Sequence, residues 1–65
     1  MDTKIIKQMV NDLNINEKSI IATLKLLEDG NTIPFIARYR KEATGALDEE
    51  QIRKINEVYE YQVNL

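Results

Sequence analysis

Apolar residues recur along most of this 65-residue chain with the 3.6-residue period of an α-helix. Four amphipathic runs are separated by short clusters of turn residues, and no stretch alternates convincingly with the period of two that marks a β-strand. The four predicted helices cover about residues 3–13, 17–29, 33–43 and 49–64. The pattern therefore predicts an all-α fold, a small bundle of about four short helices.

Cap residues support these helix boundaries. Asn16, Thr32 and Asp48 precede three of the helices, and side chains of these types accept hydrogen bonds from first-turn amides. Gln51 follows Asp48 by three residues, which is the spacing of a capping box. Gly30 is followed by asparagine, which fits a Schellman exit from helix two.

Other helix-end signals agree. Asn14 is a plausible left-handed residue after helix one, and Pro34 falls in the first turn of helix three, where its missing N–H does no harm. Gly45 lies just past the predicted end of helix three. Helix four, by contrast, runs into "YEYQVNL" with no glycine, proline or basic last turn to stop it. We therefore expect this chain to be the opening segment of a larger helical domain.

Composition narrows the possible chemistry. The chain is 43% hydrophobic and 31% charged, which is ordinary for a globular protein. It contains no cysteine and no histidine, so it lacks disulfides, thiolate metal sites and the commonest general base. No apolar run is long enough to span a membrane and no signal peptide is recognisable, which predicts a cytoplasmic protein with no membrane partner.

We find no catalytic or metal-binding arrangement. Ser19 is the only serine and has no histidine to activate it, and the two glycines are too far apart to form a phosphate-binding loop. The acidic run Asp48, Glu49 and Glu50 suits the positive end of a helix dipole, whereas a calcium or magnesium site needs a wider spread of oxygen ligands. The prediction is a non-enzyme with no cofactor and no metal.

The segment "RYRK" places three cations in helix three. At 100° per residue Arg40 points into the apolar side of the helix, whereas Arg38 and Lys41 point away from it. For Arg40 we favour a structural ion pair at the packing surface over direct ligand contact. For Arg38 and Lys41 a solvated helix face and contact with phosphates both remain open, and Glu42 is spaced to pair with Arg38.

Three aromatic residues bear on the same question. Phe35 and Tyr39 are four residues apart, so we expect this pair to pack in the core rather than to stack on nucleic-acid bases. Tyr61 falls on the polar side of helix four and is the only aromatic residue that could be free; the alternative role is contact with the part of the chain that follows. The net charge of −2 is the wrong overall sign for a free-standing nucleic-acid binder, although a local basic patch could still bind.

The run "LLEDGNTIPFIARYRKEATGALDEEQIRKI" resembles the N-terminal region of the Tex family of bacterial transcription accessory proteins. The shared pattern is "GNT-[IV]-PFIARYRKE-x-TG-x-LD" and covers about half of the chain. The residues that mark the family are Pro34, Phe35, Arg38, Tyr39, Arg40, Lys41, Gly45 and Asp48.

The resemblance implies a large cytoplasmic protein that binds nucleic acid and is linked to transcription. Members of the family join an N-terminal helical region to a ribonuclease-H-like domain without nuclease activity, a helix-hairpin-helix region and a C-terminal RNA-binding OB-fold. The strongest nucleic-acid-binding part is then expected beyond this segment.

Two functions remain after these considerations. In the first, the segment is a helical scaffold of an RNA-binding transcription accessory protein, and Arg38 and Lys41 add a phosphate contact. In the second, it is a docking module for the rest of its own chain or for the transcription machinery, with no nucleic-acid contact. Apolar side chains near the end of the chain, at Tyr59, Val63 and Leu65, motivate this second function.

Overall fold

The computed structural model of the chain describes residues 3–63, and all regular structure in that range is α-helical. Five helices follow one another with short connections. They are α1 (Thr3–Leu13), α2 (Glu17–Glu28), α3 (Ile33–Tyr39), α4 (Lys41–Thr44) and α5 (Glu49–Val63). The all-α prediction is confirmed, and the predicted end of the last helix at residue 64, like Leu65, lies outside the described residues.

The core forms around α2, which contacts each of the other four helices. Every helix contributes at least one buried side chain, and the two loop residues Ile15 and Leu47 are also buried. The apolar core residues are Ile6, Met9, Ile15, Ile20, Leu24, Ile36, Leu47, Ile52 and Ile55. Burial of these side chains removes apolar surface from water, which is the main stabilising contribution available to so short a chain.

Local side-chain chemistry fixes the helix ends as predicted. The Asn16 side chain accepts a hydrogen bond from the Lys18 amide at 2.8 Å. Asp48 and Gln51 form the reciprocal capping box: the Gln51 amide donates to Asp48 at 2.8 Å, and the Asp48 amide donates to Gln51 at 3.1 Å. The beginnings of α2 and α5 are thus determined by residues within one turn of each start.

Helix α2 ends in a Schellman motif. The Gly30 amide donates to the Leu27 carbonyl and the Asn31 amide donates to the Leu26 carbonyl, which are the two bonds that define the motif. Gly30 has a φ of 96°, and Asn14 after α1 has a φ of 55°, so both positions adopt the positive φ that the sequence predicts.

The third predicted helix, over residues 33–43, is divided in two. Arg40 interrupts it with φ −125° and ψ 32°, outside helical values. Beyond the break, α4 turns against α2, where Thr44 is fully buried. Gly45 follows at φ 75°, and a Cβ at this position would lie 2.8 Å from Ser19 Oγ. Burial of Thr44 and this close approach to α2 favour the bend over a straight helix.

Candidate nucleic-acid interface

Helix α3 is oriented by its cap and by a single core anchor. The Phe35 amide donates to Thr32 Oγ1 at 3.3 Å, and Pro34 occupies the first turn. Ile36 is completely buried, and the two other apolar side chains that face inward, Ile33 and Ala37, are half-buried. With its inward side filled by small and aliphatic residues, α3 leaves its largest side chains at the surface.

Phe35, Tyr39 and Arg40 form a layered cluster on this outer side. The ring centroids of Phe35 and Tyr39 are 5.1 Å apart at an angle of 47°. The Arg40 guanidinium carbon lies 5.4 Å from the centroid of the Phe35 ring, within cation–π range. Phe35 is 38% exposed and Tyr39 is 62% exposed. The prediction that these two rings pack in the core is therefore wrong; they pack on each other at the surface.

Arg40 also differs from its predicted role. Its side chain is exposed, and within residues 3–63 the one recorded ion pair joins Arg53 to Glu49, so Arg40 takes no part in a structural ion pair there. The predicted inward direction assumed an unbroken helix with a constant 100° step. The break at Arg40 itself ends that progression, and the guanidinium lies over Phe35 instead of meeting a carboxylate.

Arg38 and Lys41 are both exposed, on either side of the break. Both line a shallow open depression to which Phe35, Tyr39 and Glu49 also contribute. The pair expected between Arg38 and Glu42 is not formed, because the break at Arg40 removes the one-turn spacing that would bring the two side chains together. Three cations within four consecutive residues thus lie at the surface with no carboxylate at ion-pair distance in the described part of the chain.

The remaining family-marking residues are structural. Pro34 is exposed in the first turn of α3, Gly45 supplies the positive φ after α4, and Asp48 caps α5. None of the three contributes a charged or donor group to the surface of the cluster.

The far end of α5 carries a separate exposed region. Tyr61 is 66% exposed, as its place on the polar side of the helix predicted, and Val63 is 53% exposed, whereas Tyr59 is half-buried. Within residues 3–63 no group of three acidic residues is placed to hold a metal ion. No helix in that range is both long and apolar enough to cross a bilayer.

The position of the aromatic rings is the main feature that sequence reasoning missed. The sequence carried no signal of it, because its periodicity predicted an eleven-residue helix over residues 33–43. In the seven-residue α3 of the structure a single face holds only about two turns of core positions, and Ile33, Ile36 and Ala37 already fill them. Two large rings added to that face would exceed the space in so small a core.

The fold and this surface define a small all-α domain that displays a basic and aromatic helix. Its family follows from comparison with known proteins: residues 3–65 match the model of the Tex-like protein N-terminal domain. The chain belongs to the Tex-like family, and it does so over nearly its whole length.

Individual relatives agree with the family match. The chain is 49% identical over 59 residues to the Transcriptional accessory protein Tex of Neisseria gonorrhoeae, which covers 91% of this chain and 7% of that protein. It is 40% identical over 55 residues to Protein YhgF of Escherichia coli, covering 85% of this chain and 7% of that protein.

A more distant relative is found in Homo sapiens. It is named S1 RNA-binding domain-containing protein 1 and is 33% identical over 60 residues, covering 92% of this chain and 6% of that protein. The chain thus spans less than a tenth of the length of these three curated relatives. No solved structure matches it.

Proposed function

We propose that this chain is the N-terminal helical scaffold of a nucleic-acid-binding transcription accessory protein and that it has no catalytic role of its own. In the proposed full-length protein, which acts in the cytoplasm, RNA is the principal ligand, and Arg38 and Lys41 add contacts to its phosphates. The names of two relatives support this proposal. One is S1 RNA-binding domain-containing protein 1, and the other is Transcriptional accessory protein Tex.

One observation supports the proposed contact of Arg38 and Lys41 with phosphates. Arg38, Arg40 and Lys41 expose three positive charges within one short segment, although the chain as a whole has a net charge of −2. The three cations lie within four consecutive residues, and none of them has a carboxylate at ion-pair distance within residues 3–63. Such a local excess of positive charge is what a polyanion backbone requires.

The test is the salt dependence of RNA binding by the full-length protein. Changing Arg38→Ala and Lys41→Ala together removes two phosphate contacts, and each contact to a single strand contributes about 0.7 to the slope of log K against log salt. We expect the slope to become shallower by about 1.4, with the helical content unchanged. An unaltered slope would exclude both residues from the interface.

A matched control is available on another side of the bundle. Lys7 lies on α1 and Lys54 lies beside the end of α1, and α1 contacts α2 and α5 but not α3 or α4. Both lysines are exposed, so Lys7→Ala with Lys54→Ala changes the net charge by the same amount. This control is expected to leave the slope within about 0.3 of the wild-type value.

The second candidate function is a docking module for the rest of its own chain or for transcription machinery. The exposure of Tyr61 and Val63 near the end of α5 favours it, because large side chains left exposed near one end of a helix can be covered in an assembly. Hydrogen exchange of the isolated chain and of the full-length protein separates the two functions. Slower exchange confined to the end of α5 in the full-length protein supports docking there, and slower exchange on α3 only when RNA is added supports the first function.

A further inference from the structure

Much of the Tyr39 ring is open to a ligand. A tyrosine that is 62% exposed contributes little burial, and its nearest aromatic neighbour, Phe35, is itself more than one-third exposed. Tyr39 nevertheless has a definite orientation, because its ring packs on Phe35 with 5.1 Å between the centroids. The result is a ring held in place by one neighbour with much of its surface open to solvent.

Arg40 belongs to the same cluster, because it also contacts the Phe35 ring. Its guanidinium carbon lies over the Phe35 ring, 5.4 Å from the ring centroid. A guanidinium packed in this way keeps its N–H donors available around its edge for phosphate or base oxygens. The break in the helix at Arg40, with φ −125° and ψ 32°, is what places this side chain beside the rings.

We propose that Tyr39 is a stacking surface for one unpaired base of a single-stranded nucleic acid, with Arg40 and the flanking Arg38 and Lys41 binding the adjacent phosphates. This inference rests on the proposed function and narrows it to single strands. Aromatic rings set among cations are the combination that single-strand binders use, since every base offers a π-face to the ring and every nucleotide offers a phosphate to the cations.

The geometry favours a single strand over a duplex. In a duplex both faces of an internal base are covered by its neighbours, so a surface ring gains a base face only from unpaired or terminal nucleotides. Helix α3 has seven residues and is only about 10 Å long, which limits its contact with a groove.

The experiment uses the full-length protein, a 12-nucleotide single-stranded RNA and a 12-base-pair RNA duplex. The variants are Tyr39→Ala, Tyr39→Phe and, as a matched control, Tyr61→Ala, which removes a ring of similar exposure from the far end of α5. Loss of one stacked base corresponds to about 5-fold to 150-fold weaker binding. We expect Tyr39→Ala to weaken single-strand binding within this range and duplex binding by less than 2-fold. Tyr39→Phe retains a ring and Tyr61→Ala leaves the site intact, so both should bind as the wild type does.

A second measurement does not depend on overall affinity. The same single strand carrying 5-iodouridine is irradiated with the protein, and the cross-linked residue is identified by mass spectrometry. An adduct on Tyr39 that disappears in Tyr39→Leu supports the inference. Adducts that fall only outside residues 35–41 overturn it.

The outcomes distinguish this inference from the proposed function. A shallower salt slope for the Arg38 and Lys41 double variant, together with unaltered binding by Tyr39→Ala, overturns stacking and leaves the phosphate contact in place. Equal losses for single strand and duplex also overturn stacking. If neither the Arg38 and Lys41 double variant nor Tyr39→Ala changes RNA binding, both the phosphate contact and the stacking are wrong. If Tyr39→Ala leaves RNA binding unchanged but lowers the thermal stability of the full-length protein, the ring is covered by protein and stacking is again overturned.

Discussion

Replacing Gly45 by alanine tests how closely α4 approaches α2. Gly45 has a φ of 75°, where an L-residue is strained by about 1–2 kcal/mol, and alanine recovers about 0.4–1 kcal/mol by restricting the unfolded chain. The added Cβ would also lie 2.8 Å from Ser19 Oγ, a contact that moves the serine side chain away from its present position, at about 0.5–1.5 kcal/mol. We expect Gly45→Ala to lower the free energy of unfolding by about 0.5–3 kcal/mol, and by more than an alanine without the serine contact would.

Gly30 provides a matched control for the backbone contribution. Its φ of 96° is also positive, but a Cβ there would meet no atom within 4 Å. Gly30→Ala should therefore lower the free energy of unfolding by the backbone contribution alone. This contribution is about 0.5–1 kcal/mol after the change in the unfolded chain is included. The contact with Ser19 is the difference between the two alanine variants.

A double-mutant cycle isolates that difference. In Ser19→Ala the oxygen is removed and the nearest remaining atom, the residue 19 Cβ, lies 3.9 Å from the added Cβ of residue 45, which is ordinary contact. Urea unfolding of wild type, both single variants and the double variant should give a favourable coupling of about 0.5–1 kcal/mol. If Gly45→Ala costs no more than Gly30→Ala and the coupling is zero, α4 does not lie against α2 as described.

Three further variants test the caps, the backbone and the core by urea unfolding. Asp48→Ala should cost about 1 kcal/mol because it removes the capping-box acceptor, whereas Asp48→Ser should retain most of that stability, and equal losses would contradict the cap. Ala46→Gly should raise the free energy of unfolding by about 0.5–1 kcal/mol, since Ala46 has a φ of 67°, and a loss would show that this positive φ is not populated in solution. Ile36→Ala should cost about 2–5 kcal/mol because Ile36 is completely buried, and a cost below 1 kcal/mol would place it outside the core.

Features set within one turn of the chain could be predicted from the sequence. The caps at Asn16, Thr32 and Asp48 form because each side chain meets an amide two or three residues ahead, whatever the rest of the bundle does. Gly30 and Asn31 likewise complete the Schellman motif by donating to the carbonyls of Leu27 and Leu26, which lie only three and four residues before Gly30.

The outer surface of α3 could not be predicted in the same way. Whether residues 33–43 form one helix depends on Thr44 and Gly45 meeting α2, which is a contact between parts of the chain about 25 residues apart. A helical wheel assumes that the helix is continuous, so it assigned Arg40 to the wrong side. Phe35 and Tyr39 were assigned to the core by their spacing, although the space beneath α3 is filled by its aliphatic residues.

The central claim is that the outer side of α3 is the surface that contacts nucleic acid. Its most direct test is an NMR titration of the isotopically labelled chain with a single-stranded RNA at physiological salt, following every backbone amide. We expect the largest shift changes to fall on residues 35–41 and to become smaller, at the same RNA concentration, in the Arg38→Ala and Lys41→Ala double variant. Shift changes that centre on the end of α5, or no changes at saturating RNA, would contradict the claim.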